Sequence, residues 1–236
     1  MHFKEFTISQ DKTAMKVGTD GVLLGAWCSL KTSPNKILDI GSGTGLIALM
    51  MAQRSNAMTI DAVEIDENAY EQTVENFEKS DWRDRLFCYH SSFQDFVFEL
   101  NEDDQKYDLI VSNPPFYTDA FQTNDSARNK ARFSSALPFQ KLLSGAADLL
   151  SPSGRLAVII PCKEEINFIS IASKFQLFLV RICRVKGSHT SDEKRSLLEF
   201  SFKEKKIEKQ TLVIETSRHQ YTKQYIDLVK DFYLKM

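Results

Sequence analysis

The sequence has no apolar run approaching the ~18 residues that a membrane-spanning helix requires. Its opening, Met1-His2-Phe3-Lys4-Glu5-Phe6, lacks the apolar stretch and small-residue cleavage site of a secretory signal. A soluble, cytoplasmic protein with no membrane partner is therefore expected. Cysteine is sparse. Cys28, Cys88, Cys162 and Cys183 lie far apart without a Cys-x-x-Cys pair, and His2, His90, His189 and His219 show no metal-ligand spacing. Neither a disulfide nor a metal is expected. Positive charge is not in excess either: 30 Lys and Arg stand against 32 Asp and Glu, a net charge of −2. A protein that coats nucleic acid nonspecifically carries a strong positive excess. Any nucleic acid bound here must be held by a local patch, helped by shape and stacking. No internal repeat, low-complexity tract or long exposed apolar stripe is visible, so a monomer is expected.

What is present fits one large α/β domain over residues 1–236 better than two small ones, since 42% of the 236 residues are hydrophobic. A polar and partly apolar segment, residues 1–30, precedes a β/α alternation over 31–236. Residues 36–40 read as a strand ending in Gly41-Ser42-Gly43-Thr44-Gly45, and 46–53 as a buried helix. A second strand, 59–65, leads to Asp66 at a helix N-cap position, with Ala69, Tyr70, Val74 and Phe77 following at helical spacing. Residues 85–90 and 107–112 read as the third and fourth strands, the latter stopping at Asn113-Pro114-Pro115. An amphipathic helix built on Leu137, Leu142, Leu143, Ala146, Leu149 and Leu150 is closed by Ser151-Pro152-Ser153-Gly154. A strand over 155–160 and a helix over 164–174 follow. Two long strands, 177–185 and 194–202, share a short polar link and should pair antiparallel. A last pairing run, 211–215, precedes a C-terminal helix over 221–234.

This order predicts a seven-stranded, mostly parallel sheet with an antiparallel hairpin at one edge and helices on both faces. It is the architecture of the Rossmann-like methyltransferases. Ligands of such sheets sit beyond the carboxyl ends of the strands, so the glycine loop and the Asn-Pro-Pro motif should face one crevice.

Glycines at a strand-to-helix turn let a ligand approach the backbone, because no Cβ intervenes. Here the spacing is Gly41-x-Gly43-x-Gly45, whereas the dinucleotide fingerprint places its third glycine one residue later. Asp39, just before the loop, would repel a pyrophosphate but suits a ligand carrying an ammonium and a sulfonium. Glu64 ends the next strand, where a carboxylate can accept bonds from both ribose hydroxyls. Ile37 to Gly45, with Val63-Glu64-Ile65-Asp66, resembles the cofactor motifs of the class I methyltransferases. That resemblance implies S-adenosyl-L-methionine as cofactor. It also implies an acidic residue after the third strand, a place that falls on Ser92 and Phe93 here, with Asp95 three residues later.

Asn113-Pro114-Pro115-Phe116 has its own chemistry. The lone pair of an amino group on an aromatic base, or of a glutamine amide, is delocalised and attacks poorly. Asn113 Oδ1 and the Pro114 carbonyl can accept its two N–H bonds and aim the lone pair at a methyl carbon. The prolines are stiff, so the carbonyl is held with little reorganisation. Phe116 can stack on a flat target, a contact worth ~1–3 kcal/mol for a base. The motif resembles those of N-methyltransferases acting on adenine N6, guanine N2 or glutamine N5, and does not choose among them. Three readings follow: a tRNA adenine enzyme, a ribosomal RNA guanine-N2 enzyme and a protein glutamine-N5 enzyme. A non-catalytic RNA-binding scaffold would need neither the glycine loop nor Asn113.

The N-terminal stretches Phe6 to Asp11 and Met15 to Trp27 closely resemble the opening of the bacterial tRNA(Val) (adenine-37-N6)-methyltransferases. The similarity continues through Asn113 to Phe116, Ala131-Arg132-Phe133 and Phe232-Tyr233-Leu234, nearly the whole chain. Many members carry Tyr where this chain has Phe116. The resemblance implies methylation of the adenosine 3′ of the anticodon, with the tRNA anticodon stem-loop as partner. It also implies an N-terminal segment lying over the cofactor cleft, with Lys16, Thr19 and Asp20 as candidate contacts. The expected cofactor-binding residues are thus Lys16, Thr19, Asp39, Gly41, Ser42, Gly43, Gly45, Glu64, Ile65, Ser92, Phe93 and Asn113. Asn113, Pro114, Pro115 and Phe116 are the expected catalytic group. Arg128, Lys130 and Arg132 are candidate RNA contacts, and Lys203, Lys205, Lys206, Lys209, Arg218 and Lys223 form a second basic region.

Overall fold

The computed structural model describes residues 1–102, 105–114 and 137–236. In chain order its elements are α1 (Thr19–Trp27), β1 (Lys36–Ile40), α2 (Leu46–Arg54), β2 (Thr59–Glu64), α3 (Glu67–Glu78), β3 (Leu86–His90), α4 (Phe93–Glu102) and β4 (Tyr107–Ser112). After the undescribed stretch come α5 (Phe139–Leu149), β5 (Leu150–Pro161), a 3-10 turn (Cys162–Glu164), α6 (Glu165–Lys174), β6 (Phe178–Ser188), β7 (Glu193–Ser201), β8 (Glu208–Ser217), β9 (Gln220–Tyr221) and α7 (Lys223–Val229).

The strands form one sheet in the order β3-β2-β1-β4-β5-β7-β6-β8-β9. β1 to β5 are mutually parallel, and β7 runs antiparallel between β5 and β6. The α/β class and the β6–β7 hairpin agree with the sequence reading. The sheet has nine described strands rather than seven, however, because β8 pairs parallel with β6 and β9 folds back on β8. The hairpin is consequently interior, and the outer edge on that side belongs to β9.

Strand alternation makes two cores. Ile37, Leu109, Val111, Ala157 and Ile159 face a cluster built with α1, α2 and α7. Leu38, Ile40, Ile110, Val158 and Ile160 face the opposite cluster, built with α4, α5 and α6. Strands covered on both faces read as continuous apolar runs, which is why they were visible in the sequence. The N-terminal segment is part of the first core: Phe3, Phe6 and Ile8 are buried, and so is every residue of α1 from Gly21 to Trp27.

Three elements differ from the sequence reading. α4 was not anticipated, although Phe93, Phe96 and Val97 give it a buried face at helical spacing. Ser151 to Gly154 is not a closing turn but the start of β5, with a register shift against β4 between Tyr107 and Leu109. Gly154 permits this, since a Cβ there would lie 2.8 Å from the Leu150 side chain and 2.9 Å from the Tyr107 carbonyl. The C-terminal helix is seven residues, capped by Thr222, whose Oγ1 accepts from the Tyr225 N–H at 3.1 Å.

Sheet polarity also divides the second basic region. β7 ends and β8 begins at the pole opposite the carboxyl ends of β1, β4 and β5. Lys203, Lys205, Lys206 and Lys209 therefore sit at the far pole, while Arg218 and Lys223 follow β8 at the near one. Among the described residues no helix is long and apolar enough to cross a membrane, and no His, Cys, Asp and Glu group is placed to hold a metal. The four cysteines are free thiols.

Candidate active site

The carboxyl end of β1 opens into the glycine loop. Gly41, Gly43 and Gly45 all adopt positive φ (72°, 60° and 75°), a region costly for residues with a Cβ. The turn is fixed from below: the Gly41 N–H donates to the Val63 carbonyl at 2.9 Å and the Gly45 N–H to the Ser42 carbonyl at 2.9 Å. It is fixed from the side by α3, where Thr73 Oγ1 donates to the Gly43 carbonyl at 3.0 Å and Asn76 Nδ2 to the Thr44 carbonyl at 2.8 Å.

Gly41 and Gly43 line a cavity of about 400 Å³, and a Cβ on either would meet nothing within 4 Å. That volume lies in the range of small-molecule sites. Gly45 departs from the expected cofactor set. It does not line the cavity, and a Cβ there would fall 2.7 Å from the Phe77 ring, so it serves the close packing of loop on α3.

Two carboxylates lie beneath the loop and behave differently. Glu64, at the end of β2, lines the cavity. Its Oε2 accepts from the Gly43 N–H at 2.8 Å, and its Oε1 from the Ile65 and Asp66 N–H groups at 2.9 Å each. Burial pushes its carboxyl above the usual range, and these three donors pull it back. Asp39 does not reach the cavity, contrary to the sequence reading. It is fully buried, and its Oδ2 accepts from the Ala48 N–H at 3.1 Å, capping the first turn of α2. Its Oδ1 has no protein partner.

Burial raises the Asp39 carboxyl from 3.8 to about 7, with Glu64 adding to the rise. The folded chain thus holds a proton that the unfolded chain releases. This contribution to stability is full below pH 3.8 and lost as pH rises to about 7. Asp39→Asn has no proton to lose, so its stability relative to wild type is expected to improve from about pH 4 to about pH 8 in urea melts. A stability difference that does not change with pH would contradict this account.

The remaining expected residues divide in the same way. Ser42, Ile65, Asp66, Phe93 and Ser92 line the cavity, with Ile65 47% exposed and able to offer an apolar face to a ring. The Ser92 hydroxyl is engaged by α4: it donates to Asp95 Oδ2 at 2.6 Å and accepts from the Asp95 N–H at 3.2 Å. Asp66 caps α3, its Oδ1 accepting from the Ala69 N–H at 2.9 Å. Lys16 lines the cavity, and its Nζ donates to the Gln10 carbonyl. Thr19 and Asp20 do not line it. Thr19 opens α1, and Asp20 is paired with Arg195 at 2.7 Å.

Asn113 and Pro114 border the same cavity from the end of β4. The preceding Ser112 donates from Oγ to the Ile40 carbonyl at 2.9 Å, tying the ends of β4 and β1 together. Among the described residues nothing hydrogen-bonds the Asn113 carboxamide. Pro115, Phe116, Arg128, Lys130 and Arg132 lie outside the described residues. The sequence reading missed Gln72, Thr73 and Asn76, which are fully buried polar side chains of α3, the last two bonded to the glycine loop and the first to the Lys12 N–H. Their signal was available: polar residues at i, i+1 and i+4 lie between Ala69 and Phe77, both buried. Lys141, from the first turn of α5, is a further lining residue that no motif pointed to.

A parallel-cored sheet with a glycine loop after its first strand, an acidic residue ending the second and Asn-Pro-Pro ending the fourth defines a methyltransferase. The Methyltransferase small domain family matches residues 22–181. The chain is 58% identical to the tRNA1(Val) (adenine(37)-N6)-methyltransferase of Flavobacterium psychrophilum, over 99% of each chain. It is 48% identical to the enzyme of that name from Trichodesmium erythraeum, covering 99% of this chain and 97% of that one. The chain belongs to this family of methyltransferases. In fold it is similar to a predicted O-methyltransferase of Agrobacterium tumefaciens, with a TM-score of 0.69 at 16% identity, covering 90% of this chain and 96% of that one. It is also similar to the ribosomal protein L11 methylase of Lactobacillus delbrueckii subsp. bulgaricus, with a TM-score of 0.53 at 15% identity, covering 78% and 77% of the two chains.

Proposed function

We propose that the protein methylates N6 of adenine 37 in tRNA(Val), using S-adenosyl-L-methionine. The observation that carries this reading is that Gly41, Gly43 and Glu64 share one cavity with Asn113 and Pro114. The residues fit that cofactor. Two glycines leave a cradle that any Cβ would fill, and Glu64 Oε2, which serves one backbone donor, keeps a lone pair for a ribose hydroxyl. Ile65 and Phe93 offer apolar surface to a ring. The bound cofactor supplies an electrophilic methyl carbon on a sulfonium.

The chain's own residues hold the acceptor nitrogen. Asn113 Oδ1 and the Pro114 carbonyl accept the two N–H bonds of the exocyclic amine, which withdraws its lone pair from the ring and aims it into the cavity. No strong base is required, because the amine becomes acidic only after it has been alkylated. Phe116 stacks on the target base, and Arg128, Lys130 and Arg132 hold the neighbouring phosphates. An anticodon-loop base is already partly unpaired, so extruding it costs less than flipping one from a duplex. The names of the relatives support adenine 37 over the guanine-N2 and glutamine-N5 targets that the same motif would serve. The chain acts as a single domain, as a monomer and in the cytoplasm.

The test is to incubate the protein with labelled cofactor and total tRNA from a strain lacking the modification. N6-methyladenosine in tRNA(Val) is expected. Label confined to guanosine or to protein would overturn the reading.

A further inference from the structure

Residues 13–18 form one wall of the cavity, yet no regular secondary structure precedes α1 to hold them there. The stretch is closed on itself: Gln10 Oε1 accepts from the Val17 N–H at 2.8 Å, Lys16 Nζ donates to the Gln10 carbonyl, and Thr13 Oγ1 donates to the Met15 carbonyl at 3.0 Å. Its N-terminal flank is anchored on α3 at Ser9 and at Lys12, whose Nζ pairs with Glu71 at 3.0 Å and with Glu75 at 2.6 Å. Gln72 Oε1 accepts from the Lys12 N–H at 3.0 Å. Asn76 exchanges a pair of bonds with Ser9, accepting from its N–H at 2.8 Å and donating to its carbonyl at 2.9 Å.

The same Asn76 amide donates to the Thr44 carbonyl of the glycine loop at 2.8 Å. This one side chain, 1% exposed and absent from the cavity wall, therefore joins the floor of the site to its cover. We infer that Asn76 is a positioning residue that registers the 9–18 cover against the glycine loop, so that donor affinity depends on a residue that never touches the donor. The inference rests on the reading that this cavity takes S-adenosyl-L-methionine.

Chemistry limits what can replace it. Alanine removes all three bonds. Aspartate keeps the acceptor for the Ser9 N–H but turns an acceptor toward two carbonyl oxygens, so it cannot rescue. Glutamine is longer by one methylene in a buried, close-packed place.

The test compares wild type with Asn76→Ala and Asn76→Asp by calorimetric titration with S-adenosylhomocysteine and by hydrogen exchange of the 9–18 amides. Both variants are expected to bind about tenfold or more weakly, a loss of about one factor of ten in Kd per severed clamp. Exchange across 9–18 should be faster in both, and KM for the donor should rise while kcat at saturation and KM for tRNA stay close to wild type. A purely architectural role would lower the melting temperature without moving that split. Should Asn76→Ala fail to fold, Asn76→Asp carries the test, since it keeps the Ser9 N–H bond and loses both carbonyl bonds; a folded Asn76→Asp with wild-type donor affinity and exchange overturns the inference. Wild-type protein that binds neither S-adenosylhomocysteine nor the donor overturns the functional reading and this inference together. Normal wild-type binding, matched by a folded Asn76→Ala with unchanged exchange, overturns this inference alone.

Discussion

Alanine in place of Asn113 is expected to lower methyl transfer by about 10²–10³-fold while leaving donor affinity nearly unchanged. Asn113 lines the cavity, and among the described residues its carboxamide has no protein partner to lose. Its removal therefore leaves no buried group stranded and should cost little stability. On the proposed reading, what disappears is one of the two acceptors for the amine. The Ser112–Ile40 tie fixes the strand end that carries Asn113, so little backbone reorganisation is expected during transfer. Single-turnover rates and calorimetric donor titration on the same preparation check this. A loss of donor affinity as large as the loss of rate would place Asn113 in the donor site instead and remove its assigned role.

Glu64→Gln is expected to weaken donor binding by about a hundredfold or more and to lower the melting temperature. The carboxylate serves three backbone donors, one through Oε2 and two through Oε1. An amide has one oxygen. Either orientation sets an NH2 group against N–H donors from Gly43 or from Ile65 and Asp66, and each unsatisfied buried N–H costs about 1–3 kcal/mol. The loop and the β2–α3 turn are then expected to separate, and the acceptor proposed for the ribose is lost with them. Chemical denaturation and donor titration measure the two effects. A variant with wild-type donor affinity would show that Glu64 is only a brace for the loop.

The sheet was legible because strands covered on both faces are apolar almost throughout, as in Ile37-Leu38 and Leu109-Ile110-Val111. The glycine loop was legible because its residue types are dictated by backbone geometry, and the place of Asn113-Pro114 because it ends an apolar strand parallel to β1. β8 was under-read: much of it is exposed, with four exposed residues from Glu208 to Thr211, so its pairing with β6 has little hydrophobic signature. α4 hid behind Ser92, which marks a helix start as readily as a ligand contact. Asp39 and Gly45 belong to the motif pattern but work below the surface, the one capping α2 and the other fitting against Phe77. Sequence spacing cannot separate a residue that faces a ligand from one that shapes the loop around it. The role of α3 was missed for a related reason. Its buried polar face makes no motif, because its partners are backbone carbonyls and N–H groups far away in sequence.

The glycine loop is held by the protein's own bonds: Val63 from beneath, Glu64 from the side, and Thr73 and Asn76 from α3. It is a cast already set before any guest arrives. An incoming molecule has almost no chain to freeze at that floor, so the entropic penalty of docking falls on the guest and on the roof above it. The floor can then keep its shape from one cycle to the next.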